Sequence, residues 1–103
     1  MAHDLAEMTA GLASRTGALA DQHPGDAAGR LLELRNRFRD LALEAMVTKL
    51  DEQDEKYEAA VAALSDAIED VGQADEAVEN VVATIKLLKK AADLVEAAIK
   101  AAA

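Results

Sequence analysis

The apolar positions of this chain recur at helical rather than strand spacing from end to end. They are interrupted clearly in only two places. Leu5, Met8, Leu12 and Leu19 mark a first stripe, predicting a helix over about 5–20. Asp4-Leu5-Ala6-Glu7 offers a capping box at its start, in which acidic side chains accept from backbone N–H groups the first turn leaves unpaired. Gly11 and Gly17 lie inside this helix, and each costs about 1 kcal/mol relative to Ala. Its stability is therefore expected to depend on docking.

The first interruption is Asp21-Gln22-His23-Pro24-Gly25-Asp26. Pro24 drives His23 out of the α region and suits the first turn of a following helix. From about 25 the pattern runs on without Pro or Gly between 30 and 71. Leu31, Leu34, Phe38 and Leu41 form one stripe. Leu43, Val47, Leu50, Tyr57, Val61, Leu64, Ile68 and Val71 form another, in a different register. Around 41–47 the helix is apolar on several sides, which suggests cover by more than one neighbour. One helix over about 25–71 is expected, with a possible break near 50–52, where Asp51 would cap a new helix. Unbroken, it would be a rod of about 70 Å at 1.5 Å per residue, too long for the rest of the chain to cover.

The second interruption is Val71-Gly72-Gln73-Ala74-Asp75, with Gly72 placed to end one helix and Asp75 to cap the next. Val78, Val81, Ile85, Leu88, Ala92, Val95 and Ile99 then give a heptad-like seam over about 76–102, widened by Val82 and Leu94. That seam matches the one over 57–71, so the two should pair as an antiparallel hairpin. The fold class that follows is all-α: one domain over 1–103, an antiparallel bundle of three long helices, or four if the break is real, with coiled-coil-like packing. Phe38 and Tyr57 are expected to be its largest core pieces.

Composition narrows the chemistry. The 103 residues include 25 alanines, one Phe, one Tyr, no Trp and no Cys, so disulfides and thiolate chemistry are excluded. Val78 to Ala103 is interrupted by four lysines, an Asp and two Glu, which argues against a membrane span. The N-terminus has no basic start followed by an apolar run, and a cytoplasmic location is the expectation.

Charge is uneven. Residues 1–39 balance five acids against five arginines; residues 40–76 carry twelve acids and two lysines; residues 77–103 carry three acids and four lysines. The net charge of −9 disfavours nucleic-acid and anionic-membrane binding over most of the surface. The middle third would attract a basic partner, although solubility alone also explains such a run.

The candidate sites are weighed against that background. A bundle-type carboxylate metal centre draws Glu-x-x-His pairs from two helices, and neither His3 nor His23 follows a Glu by three. Asp51, Glu52, Asp54, Glu55 and Glu58 lack the central Gly and spacing of a calcium loop. No metal or other cofactor is expected. Ser and Thr residues are scattered without a base at a recognisable spacing, and no glycine-rich phosphate loop exists, so an enzyme is not expected. Arg30, Arg35, Arg37 and Arg39 are the one basic cluster. Arg35 and Arg39 share one helix face and Arg30 and Arg37 another, which favours ion pairing, within the chain or at an interface, over phosphate binding.

The function expected is a non-enzymatic one: binding another protein, a basic one in the most concrete version, through a helical, acidic face. Toxin-neutralising immunity or antitoxin proteins, secretion chaperones and assembly adaptors share this description. Asp51, Asp54, Glu55 and Glu58 are the candidate acidic face. Arg35 and Arg39 are candidate anchors for a partner or a second subunit, with a homodimer as the first expectation. The alternatives are an amphipathic protein coating a lipid or granule surface through 78–103, and, third, a carboxylate metalloprotein.

Overall fold

A computed structural model describes residues 4–72 and 81–102. Within them the chain forms four α-helices and no strand: α1 Asp4–Gln22, α2 Asp26–Val47, α3 Glu55–Gly72 and α4 Val81–Ala102. The helices pack on one another as an all-α bundle measuring 38 × 19 × 18 Å. The expected turn around Asp75 and the seam position Val78 lie outside the described residues.

The bundle is two antiparallel hairpins stacked side by side. α1 packs along α2 and α3 along α4; across the stack, α1 touches α3 and α2 touches α4. Tyr57, at the start of α3, lies beside Leu5 and Asp4 at the start of α1, so these two helices run parallel. Arg37, midway along α2, likewise meets Asp93 and Glu96, midway along α4.

Each helix supplies a seam at alternating three- and four-residue spacing, which keeps one face toward its neighbours. In α1 the seam is Leu5, Thr9, Leu12, Thr16 and Leu19, all buried. The two threonines, absent from the sequence-based stripe, are tolerated because each hydroxyl donates to the carbonyl four residues back. Thr9 Oγ1 reaches Leu5 O at 2.6 Å and Thr16 Oγ1 reaches Leu12 O at 2.7 Å. In α2 the seam is Leu31, Leu34, Phe38, Leu41 and Ala45. Phe38 is wholly buried and Tyr57 nearly so, as their size predicts. Ala45, Ala60, Ala67, Ala91 and Ala92 are fully buried too. The alanines let helix backbones approach closely, so a core with only two rings still fills.

Two expectations are corrected. The sequence pattern puts Pro24 in the first turn of the second helix; it lies before it. Gly25 precedes Asp26 with φ 81° and ψ −146°, a conformation open to glycine but strained for a side chain. The continuous helix over 25–71 is also replaced, by a break spanning 48–54. Thr48 leaves the helix with extended backbone (φ −96°, ψ 136°) and its hydroxyl donates to Glu44 O at 2.7 Å. Asp51 Oδ1 accepts from the Gln53 N–H at 3.0 Å. Asp54 Oδ1 accepts from the Lys56 N–H at 2.8 Å, so Asp54 rather than Asp51 caps the new helix. The break sends α3 back along α1, which buries Tyr57, Leu64 and Val71. The part of the stripe before the break does not follow: Leu43 is 64% and Val47 87% exposed. Over 41–47 the described chain covers Leu41, Ala42 and Ala45 but leaves Leu43, Met46 and Val47 exposed, so the expected cover on several sides is only partly present.

These positions separate in a urea titration. Leu64→Ala, which empties a fully buried site, is expected to cost about 2–5 kcal/mol. Asp54→Ala should cost about 1 kcal/mol through the lost cap, and Leu43→Ala less than about 0.5 kcal/mol. A Leu43→Ala cost equal to that of Leu64→Ala would contradict this assignment of faces.

Candidate functional site

The four acids singled out from the sequence divide into two pairs. Asp51 and Asp54 belong to the interhelix connection, and each commits a carboxylate oxygen to a backbone N–H. They also border a small recess of about 110 Å³ at the bundle end, formed with Leu50, Tyr57 and the last turn of α4. Glu55 and Glu58 lie on the exposed side of α3. The same side carries Asp66 and Glu69, which are not among the residues singled out from the sequence. Successive steps of three and four residues mark the ridge: Glu55, Glu58, Ala62, Ser65 or Asp66, and Glu69. That spacing is legible in the chain, but the denser acidic run over 51–58 masks it. None of these four ridge carboxylates holds an ion pair among the described residues.

Arg35 and Arg39 do share a face, as expected, and it borders a groove of about 630 Å³ between α1 and α2. Ala10, Ala13, Ser14 and Gly17 line the α1 side. Leu43 and Met46 line the α2 side below the arginines, and Asp21 stands at the upper end. The aliphatic stem of Arg35 lies across Gly17, where a β-carbon would fall 2.9 Å from Arg35 Cδ. Its guanidinium donates to Asn36 Oδ1 at 3.1 and 3.3 Å. Arg39 and Asp21 hold no ion pair among the described residues. Leu43, Met46 and Val47, at 64, 58 and 87% exposure, make one apolar patch at the end of α2. Isolated exposed apolar residues are ordinary, whereas a contiguous group marks a contact surface.

Arg37 has the role expected of the arginine cluster, an ion pair within the chain. Its Nη2 lies 2.7 Å from Asp93 Oδ1 and 2.8 Å from Glu96 Oε2, and Glu96 Oε1 receives Lys100 Nζ at 3.2 Å. Burial pulls the Arg37 pKa down, but hydrogen bonds to Asp93 and Glu96 outweigh it and hold the pKa above its ordinary value. Glu96 is held below the usual carboxylate value by hydrogen bonds from Lys100 and then Arg37. This cluster ties α2 to α4 beside a second open groove of about 400 Å³, where Arg30 and Lys89 also stand. Thr84 Oγ1 ties α4 to α3 by donating to Asp70 Oδ2 at 2.9 Å.

Burial, reinforced by the negative charges of Glu52 and Asp4 against a Leu5 backbone hydrogen bond, raises the Tyr57 pKa. The phenol thus stays protonated near neutrality. His23 sits in the α1–α2 turn, its backbone N–H donating to Ala20 O at 3.3 Å and its buried Nε2 without a hydrogen-bond partner. Among the described residues no three of His, Asp and Glu converge closely enough to hold a metal ion. No described helix is long and apolar enough to cross a membrane. Comparison with protein-family models, curated proteins and solved structures finds no match to this chain.

The Glu96 linkage has a definite sign. A carboxylate whose folded pKa is depressed adds stability above its unfolded value, here about 4.5, and loses it as pH falls through the folded value. Glu96→Gln is therefore expected to lower the urea midpoint at pH 7, with the gap to the parent closing at a pH low enough to protonate the folded carboxylate. An equal gap at both pH values would assign the loss to packing instead.

Proposed function

We propose that this protein is a non-enzymatic binding protein that docks on a basic surface of another protein through the exposed acidic ridge of α3. The observation that carries this reading is the state of Glu55, Glu58, Asp66 and Glu69. All four are exposed on one side of a single helix and none is neutralised among the described residues, although the chain contains 11 Lys and Arg. Small residues between them, Ala59, Ala62 and Ser65, leave the ridge free of bulky obstruction. Four like charges on one helix side repel one another, a cost that a cationic partner would relieve on contact. Immunity and antitoxin proteins, secretion chaperones and assembly adaptors remain the classes this chemistry serves, in a cytoplasmic setting.

The surface-coating alternative draws less support. The apolar face of α4 that would meet a lipid is already spent: Leu88, Val95 and Ile99 lie in the bundle core. Presenting them to a membrane would require opening the fold.

The test is parallel affinity capture from the native host with the parent chain and with Glu55→Gln, Glu58→Gln, Asp66→Asn and Glu69→Gln combined. One dominant basic partner should be captured by the parent and weakened at least about tenfold by the variant. Its association rate should also fall as salt rises. A partner retained equally by a folded variant would overturn the proposal.

A further inference from the structure

The α1/α2 face is a different surface from the α3 ridge, and its shape and charge are complementary to themselves. We propose that it is the contact between two copies of this chain, related by a two-fold axis running along the helices, so that α2 of each copy lies against α1 of the other.

The argument begins with size. Along the groove the largest side chains, Arg35, Arg39, Leu43 and Met46, come from α2, whereas α1 contributes small ones, Ala10, Ser14 and Gly17, beside Asp21. The two helices are antiparallel, and Gly17 is level with Arg35. Ala10 is therefore level with Leu43, two turns away in each helix. A two-fold axis along the helices keeps every level and exchanges α1 for α2. Each bulky α2 residue then meets a small α1 residue of the partner, ridge into furrow, with Leu43 and Met46 covered at the Ala10 level.

Charge selects the same arrangement. Arg35 stands one turn from the level of Asp21, and the two line one groove without pairing within the chain. Across the axis each Arg35 comes within a side chain's reach of the partner's Asp21, twice by symmetry. Two copies carrying −9 each should repel, but the groove itself is lined by two arginines, Arg35 and Arg39, against one carboxylate, Asp21. It is thus a face on which an acidic chain can receive its own kind. The α3–α4 hairpin forms the opposite layer, so such a dimer leaves both acidic ridges uncovered. This inference is independent of the partner proposed above.

Sedimentation equilibrium over a concentration series up to the millimolar range tests it, with circular dichroism to verify helix content. The parent chain should give twice its mass of 10.8 kDa. Arg35→Glu and Asp21→Arg should each weaken the dimer at least about tenfold, because each sets like charges across the axis. Mixing these two variants should restore a one-to-one dimer, since the introduced carboxylate of one chain then meets the introduced guanidinium of the other. Leu43→Glu should give a folded monomer. A parent that stays monomeric, a dimer indifferent to these substitutions, or a mixture that stays monomeric would each overturn the proposal.

Discussion

The break between α2 and α3 is the constraint on which the rest of the structure depends. A helix continued from Asp26 to Gly72 would expose the seam of Tyr57, Leu64 and Val71 far from anything able to cover it. Three local features mark the turn-away: the extended backbone of Thr48, the hydrogen bond from the Gln53 amide to Asp51, and that from the Lys56 amide to Asp54. Each contributes little by itself. Together they divert the chain across the end of the bundle so that α3 returns beside α1, and burial of α3 against α1 and α4 supplies the energy.

Once the hairpins are stacked, the charges fall into three groups with different duties. Arg37, Asp93, Glu96 and Lys100 face one another and lock α2 to α4. Arg35 and Arg39 flank the groove between α1 and α2 and hold no ion pair with a carboxylate among the described residues. Glu55, Glu58, Asp66 and Glu69 of α3 are exposed and hold no ion pair among the described residues. A strongly acidic chain that uses its cations in this way presents two unlike surfaces, a partly apolar groove flanked by arginines on the α1/α2 layer and a negative ridge along α3. In the proposals above, the first gathers a second copy and the second meets a partner.

Much of the fold was legible in the residues. The stripes of Leu31, Leu34 and Phe38, and of Leu88, Ala92, Val95 and Ile99, mark buried faces because nothing but helical periodicity accounts for them. The α3–α4 hairpin followed from two seams of the same kind. What escaped has physical reasons. Thr9 and Thr16 are core residues disguised as polar ones, since their hydroxyls are satisfied by their own helix. The break carries no Pro or Gly, and its caps are aspartates inside an acidic run, where a cap looks like any other charge. Leu43 and Val47 fit the spacing of the next stripe by coincidence, and only the path of the chain shows that they face outward. For the site, Arg35 and Arg39 were identifiable from their shared face. Asp66 and Glu69 were not singled out, because their alignment with Glu55 and Glu58 matters only once that side of α3 is known to be exposed.

The most direct measurement of this account is the distance between Arg30 and Asp66, taken by pulsed electron resonance after placing a spin-labelled cysteine at each. The chain has no cysteine of its own, and dilution with unlabelled protein removes distances between copies. The stacked hairpins require a distribution centred within the 38 Å length of the bundle. A continuous helix would place the labels about 54 Å apart at 1.5 Å per residue, and a distribution centred there would contradict the fold and the placement of both surfaces.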